Sequence, residues 1–281
     1  MFEIVRKENL NDSVTLMEIK APLVAKKAEP GQFIIFRIDE KGERIPLTIA
    51  DFDREKGTVT IIFQKVGKST IQLGNLNEGD KILDFAGPLG VASHLEGYKK
   101  VAVIGGGLGT AIAYPQAKKL FGLGSEVHTI VGFRNKDLII LEDEVKKVST
   151  KTVVATDDGS NGNQGFVTTM LENLINEGNS YDLVIAIGPL RMMQAVCNVT
   201  KKYGIKTIVS MNPVMIDGTG MCGGCRVTVG GETKFACVDG PDFDGHLVDF
   251  DSAIKRQEMY KTEERASLEN HKCRIGRDNN A

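Results

Sequence analysis

The hydrophobic rhythm of this chain changes near Lys100, and that change limits its fold more than any other feature. Onward from there, apolar strand-like runs at 101–104, 127–131, 152–155, 183–187 and 207–210 alternate with helix-like stretches at 111–120, 141–148, 165–176 and 191–203. Strands alternating with helices imply βαβ units and a parallel, doubly wound sheet. Ligands of such a sheet lie beyond the carboxyl ends of its strands. Before Lys100 no long helical stretch occurs. Short runs at 14–19, 33–36, 58–63 and 81–84 are separated by turn signals at Pro30 and Gly31, Lys41 and Gly42, Lys56 and Gly57, and Glu78 to Asp80. Such spacing predicts a small antiparallel barrel or sandwich. After Met211 both rhythms stop. Residues 211–240 are rich in Gly and Cys and too short for a core, so a metal or covalent staple is expected there. The tail from about Ser252 reads as a charged helix to near His271. The expected units are therefore 1–98, 99–210, 211–250 and 251–281.

A length of 281 residues agrees with more than one domain, and 41% hydrophobic residues suffice for substantial cores. Thirty-five basic against 37 acidic residues leave a net charge of -2. That balance argues against nucleic acid or an anionic membrane as the main partner. No apolar run approaches the ~18 residues of a membrane span. The N-terminal residues lack a signal-peptide pattern, which predicts a cytoplasmic protein. In that reducing setting the grouping of Cys222, Cys225 and Cys237 points to metal before disulfide. Cys197 falls in a helix-like run and is expected to be a buried apolar residue, and Cys273 to carry no chemistry. The four His (His94, His128, His246, His271) are scattered and read as structural.

Gly105, Gly106, Gly107, Leu108, Gly109 and Thr110 follow the first parallel strand and open a helix. Glycines there let the backbone approach a pyrophosphate, and the helix start offers unpaired N–H groups. The G-x-G-x-x-G spelling is broken by Thr110, and no acidic residue closes the second strand, where Arg134 stands instead. Arg134 could meet a 2′-phosphate or water, which leaves NAD and NADP both open. Asp157 and Asp158 after the third strand could accept hydrogen bonds from ribose or nicotinamide. Gly188 and Pro189, with Met192 close behind, follow the fourth. All these loops lie at strand carboxyl ends.

The third segment reads Asp217-x4-Cys222-x2-Cys225-x11-Cys237. Plant-type [2Fe–2S] loops have C-x4-C-x2-C and a distant fourth Cys, and here Asp takes the first place. Carboxylate oxygen can ligate iron, so Asp217, Cys222, Cys225 and Cys237 make a full set. Structural zinc, which C-x2-C knuckles also hold, and free thiols are the competing readings.

In this order of segments the chain resembles the ferredoxin reductase-like flavoproteins, and among them the electron-transfer subunits of dihydroorotate dehydrogenase and their relatives. The resemblance runs to about Asp249, on residues 44–48, 66–70, 87–90, the Gly105 loop, 156–160, and Cys222 to Pro241. It implies an antiparallel β-barrel FAD domain, then an α/β doubly wound NAD(P) domain, then a [2Fe-2S] segment. Pro46, Leu47 and Thr48 would contact the flavin; Ile62, Phe63 and Gln64, with Gly67, Ser69 and Thr70, would bind elsewhere on FAD. Arg44 would serve the cofactor too, although it stands one place before the family's arginine position, which Ile45 occupies. Asp217 in place of a fourth Cys is similar to the small subunits of NADH-dependent reduced ferredoxin:NADP+ oxidoreductases and of sulfide dehydrogenases. That likeness implies hydride exchange between NAD(H) and FAD, one-electron traffic through the cluster, and electron bifurcation in a heterodimer. A larger flavin and iron–sulfur subunit would deal with ferredoxin and NADP(H). No catalytic side chain is expected, since the cofactors carry the chemistry.

Overall fold

A computed structural model describes the backbone of residues 1–278 and the side chains of residues 1–269. The expectations for His271 and Cys273 therefore lie outside the described side chains. The first sheet consists of β1 (Phe2–Asn9), β2 (Val14–Lys20), β3 (Phe33–Arg37), β4 (Ile45–Asp53), β5 (Thr58–Gln64), β6 (Lys81–Ile82) and β7 (Asp84–Leu89). Its order is β6-β1-β2-β5-β4-β3-β7, every pair antiparallel. The two outermost strands are separated in sequence by Leu83 alone, so the row curls back on itself into a nearly closed barrel. Alternate residues point inward, as the two-residue period of a strand requires. Ile4, Met17, Ile19, Ile34, Phe36, Ile61 and Phe63 thereby form one buried cluster. Burying each contributes roughly 1.5–3 kcal/mol. Two short helices, α1 (Pro22–Lys27) and α2 (Lys68–Asn75), interrupt the barrel. The apolar runs of the sequence do not mark β1 or β4.

The second half contains β8 (Lys100–Gly106), α3 (Gly109–Gly122), β9 (Glu126–Phe133), α4 (Glu142–Lys147), β10 (Lys151–Thr156), α5 (Val167–Asn176), β11 (Leu183–Ile187), α6 (Leu190–Lys202) and β12 (Thr207–Ser210). The sheet order β10-β9-β8-β11-β12 is parallel throughout, with the chain reversing direction of winding between β8 and β11. A doubly wound sheet opens its ligand crevice at that switch point.

The cysteine-rich segment holds β13 (Arg226–Val229) and β14 (Glu232–Phe235), which form a hairpin, and β15 (Asp242–Asp244). Here one expectation needs correcting: the segment is not outside the sheet rhythm, because β15 adds to β12 as an antiparallel edge strand. It also has no separate core. Cys225, Val227, Ala236 and Cys237 pack into the cluster that contains Phe33 and Ile35 of the barrel and Ala186 and Met193 of the sheet layer. The tail forms α7 (Phe250–Gln257) and α8 (Lys261–Asp278). Among the described residues no helix is long and apolar enough to cross a membrane.

Candidate functional site

Strand β4 changes partner halfway along. Residues 45–48 pair with β3, from Phe36↔Ile45 to Phe33↔Thr48, whereas the ladder to β5 begins only at Ile49↔Ile61. The barrel wall therefore parts at this point. Residues 45–48 keep one free edge, and Ile62, Phe63 and Gln64, still paired to β2, keep the other. Buried backbone groups are almost always paired, so two facing free edges form a slot with hydrogen-bonding walls. Pro46, Thr48 and Gln64 line a cavity of about 870 Å³ that begins there. Ligand pockets commonly span roughly 300–1,000 Å³.

The same cavity runs across to the switch point of the parallel sheet. Gly106, Gly107, Leu108 and Gly109 form its floor, and Arg134, Asp157, Gly188, Pro189 and Met192 line it from neighbouring strand ends. The N-terminus of α3 has no side-chain cap and no acidic residue in its first turn. The Thr110 and Ala111 amides donate back to the Gly107 and Leu108 carbonyls, so the Leu108 and Gly109 amides and the positive dipole end are what is left for an anion. The glycines of this turn divide by role. A Cβ on Gly109 would collide with the Ile187 carbonyl oxygen, one on Gly106 with the Met192 sulfur, and one on Gly105 would lie 2.8 Å from Thr110 Cα. Gly105 and Gly109 let backbone approach backbone, and Gly106 leaves room for the Met192 side chain. Gly107 alone has φ +54° and nothing within 4 Å of a Cβ position, so it is the glycine that faces ligand space.

Several residues expected at the cofactors do not line this cavity. Gly105 and Thr110 are buried against each other, with Thr110 Oγ1 unpartnered, so their part is the tightness of the turn. Leu47, Ile62 and Phe63 turn their side chains into apolar clusters, which leaves only backbone edges to a ligand. Thr70 Oγ1 accepts from the amides of Gly67 and Val66 and donates to the Gly67 carbonyl, while Ser69 donates to Glu43 at 2.6 Å. Both hydroxyls are thus engaged at the start of α2. Asp158 accepts from the Ser160 amide at 3.0 Å, and hydrogen bonds from Ser160 hold its carboxyl below the usual range. It closes a turn, whereas Asp157 faces the cavity. Arg44 stands apart from the cavity altogether. Its Nε donates to the Ile216 carbonyl at 3.0 Å and its Nη2 to that of Asp217 at 3.5 Å. The contact to Ile216 joins residues 172 apart in sequence.

The strand pattern left the third side of the cavity unforeseen. Ser210 at the end of β12, Met211, Asn212, Pro213 and Met215 just past it, and Pro241 just before β15 line it. The rule of strand carboxyl ends, applied to β12, would have pointed to them.

Beyond those residues the loop 216–225 turns through Gly218, Gly220 and Gly223, all at φ between 66° and 82°. Asp217 caps the loop, accepting from the amides of Thr219 at 2.9 Å and Cys222 at 2.7 Å. Those bonds, the Thr219 amide foremost, hold its carboxyl below the usual range. Cys225 and Cys237 are buried with their sulfurs 3.2 Å apart. Burial, and then the Cys225 sulfur, push the Cys237 thiol up to about 12. Cys222 is exposed, and its sulfur accepts from the Gly224 amide at 3.4 Å. Among the described residues no three His, Cys, Asp or Glu side chains converge on one ion. A two-iron cluster takes its ligands in pairs, and the buried Cys225–Cys237 pair and the Asp217–Cys222 end of the loop fit that demand. Cys197 is buried among apolar side chains, as expected. His128 is buried between Tyr181 and Glu126, also as expected.

Comparison with known proteins places these observations. The iron-sulfur cluster binding domain of dihydroorotate dehydrogenase B matches residues 212–249. A protein of Clostridium beijerinckii, an uncharacterized product of the adh 3′ region, is 55% identical over 278 residues, 96% of this chain and 94% of its own length. The dihydroorotate dehydrogenase B (NAD(+)) electron transfer subunit homolog of Thermotoga maritima is 46% identical over 267 residues, 95% and 94% of the two chains. A solved structure of an NADH-dependent reduced ferredoxin-NADP oxidoreductase, studied for flavin-based electron bifurcation, superposes with TM-score 0.91 at 45% identity and covers 96% of this chain and 97% of that one.

Proposed function

This chain belongs to the family of dihydroorotate dehydrogenase B electron-transfer subunits and their homologues, and on that premise we propose that it is the small, electron-transfer flavoprotein subunit of a complex of the NADH-dependent reduced ferredoxin:NADP+ oxidoreductase type. Bound FAD supplies hydride exchange with NAD(H), and a [2Fe–2S] cluster supplies the one-electron exit to a larger subunit. The observation that carries the reading is the single cavity. It is walled by the parted barrel strands and the switch point of the parallel sheet, so the flavin and nucleotide sites open on one another, and Met211 to Met215 line it on the way to the cysteine-rich loop.

Within it the chain's own groups divide the work. The free edges of β4 and β5, with Pro46 and Thr48, hold a flat ring system by backbone hydrogen bonds and one hydroxyl. Gly107 and the uncapped start of α3 bind pyrophosphate, and Asp157 accepts from ribose hydroxyls. Phe33, Ile112, Met211 and Met215 keep water from the reacting faces. Asp217, Cys222, Cys225 and Cys237 hold the cluster. Ile216, Met221 and Val238 lie exposed around that loop and offer the larger subunit an apolar surface. Residues 1–98 are then the flavin unit, 99–210 the nucleotide unit, 211–250 the cluster unit and 251–281 a tail, in a cytoplasmic protein. NAD(H) is the nucleotide this reading assigns.

Anaerobic isolation of the complex tests it directly. One FAD, two iron and two sulfide per small chain, with visible absorption bleached by NADH, is the expected result. A colourless chain carrying zinc would remove the electron-transfer role.

A further inference from the structure

Three arginines from three separate elements reach the same loop. Arg44, just before β4, donates to the carbonyls of Ile216 and Asp217. Arg226, the first residue of β13, donates from Nη1 to the Gly223 carbonyl at 3.3 Å. Arg256, on α7, donates from Nη2 to the Gly224 carbonyl at 3.2 Å. The four carbonyls belong to the peptides that flank Asp217 and follow Cys222, the two ends of the loop between proposed ligands.

A trans peptide is planar, with its N–H opposite its C=O, so fixing a carbonyl outward aims the amide of the same peptide inward. The Gly223–Gly224 peptide displays both halves. Arg226 binds its oxygen, and its nitrogen, that of Gly224, donates to the Cys222 sulfur at 3.4 Å. By the same geometry Arg256 on the Gly224 oxygen turns the Cys225 amide the other way, and Arg44 does so for the amides of Asp217 and Gly218. The guanidinium charges are also unspent. The arginines ion-paired among the described residues are Arg6, Arg37 and Arg54.

We propose that Arg44, Arg226 and Arg256 form a clasp that aims the loop amides at the cluster's ligands and surrounds it with positive charge, raising its reduction potential. The proposal rests on the iron–sulfur reading above. Amides donated to sulfur and nearby cations both favour the reduced, more negative cluster, so each raises the potential. None of the three touches the ligand atoms in this structure; all are positioning residues. They also join the barrel, the hairpin and the tail helix to one loop, which ties cluster potential to the mutual placement of these elements.

The test is an EPR-monitored redox titration of the cluster in the intact complex. It compares wild type with Arg226→Met, Arg256→Met, Arg44→Met and the corresponding lysine variants, with iron and sulfide counted for each. Methionine removes charge and donors; lysine keeps the charge and loses the fork. The methionine variants should have lower midpoints. Arg226→Met should move most, by about tenfold in electron partition, or about 59 mV for a one-electron carrier. The lysine variants should fall between, and the flavin midpoint in the Arg226 and Arg256 variants should stay put. A merely structural role would change cluster loading without moving the midpoint of the clusters that remain. Should a methionine variant bind no iron, its lysine counterpart decides: a lowered midpoint supports the clasp and a wild-type midpoint overturns it. Loaded variants with wild-type midpoints and EPR spectra overturn it as well. Wild-type complex devoid of iron and sulfide would overturn both this proposal and the reading beneath it.

Discussion

Two glycine-rich loops approach the same cavity, and they are built on opposite principles. In the loop after β8, Gly105 and Gly109 exist because a Cβ would strike backbone atoms. That turn is set by contact with β11 and α6, so it has its shape before any nucleotide arrives. In the loop 216–225, a Cβ on Gly218 or Gly220 would meet only side-chain carbons, of Ile35 and Val238, at 2.7 and 3.0 Å, and one on Gly223 nothing nearer than 3.7 Å. What those three need is a positive φ, so that the chain can wrap around something. Its order comes from hydrogen bonds to carbonyls and, in the proposed function, from metal. The first loop is thus preorganised by packing, and the second is completed by its ligand.

The largest expected effect breaks the packed loop. Gly109→Ala should cost about 3 kcal/mol or more and lower the thermal midpoint by about 10 °C. Gly107→Ala should cost only about 1–2 kcal/mol, from its φ of +54°, and weaken NAD(H) binding about tenfold. Thermal unfolding followed by circular dichroism compares the two. Equal midpoints would mean that both glycines serve the same purpose, and the contrast would be lost.

Next comes removal of the metal. Chelation under reducing conditions should strip hydrogen-exchange protection from residues 216–238 and spare β8, β9 and β11, because the loop lacks a core of its own. Uniform loss across the chain would show that the loop is as self-sufficient as the turn after β8. Within the loop, Asp217→Ala should lose the cluster or bind it poorly, while Asp217→Cys should keep it with a shifted midpoint. An unchanged midpoint and absorption spectrum in both variants would take Asp217 out of the ligand set. The smallest effect concerns thiol labelling of metal-free protein at pH 8. Exposed Cys222 should react first, and Cys237, buried and pushed up to about 12, should lag well behind. Comparable rates would show that the Cys225–Cys237 pair is not held together without metal.

The parallel sheet was legible because its strands are buried on both faces and therefore spell continuous apolar runs, as in the wholly buried β11. The barrel was legible in β2, β3 and β5 for the same reason. It was hidden in β1, whose burial pattern is mostly exposed, and in β4, which carries Pro46, Asp51 and Asp53. Of the candidate site, the glycine turn, Asp157, Gly188 and the cysteine spacing could be read from local sequence. The free edges of the flavin slot could not, since a change of strand partner at Ile49 leaves no mark in residue order. Nor could the fate of Asp158, Ser69 and Thr70, whose hydrogen bonds to neighbours depend on the turns actually formed.

Residue order alone settled the alternation of strands and helices from β8 to β12 and which side chains carry metal-binding donors, because these depend on short-range sterics, solvation and donor chemistry. Tertiary structure alone decided which glycines face the chain and which face open space, and it set Arg44 on carbonyls of the cysteine-rich loop. Those outcomes turn on distances between residues far apart in the chain, and such distances exist only once the barrel, the sheet and the loop have packed into one core.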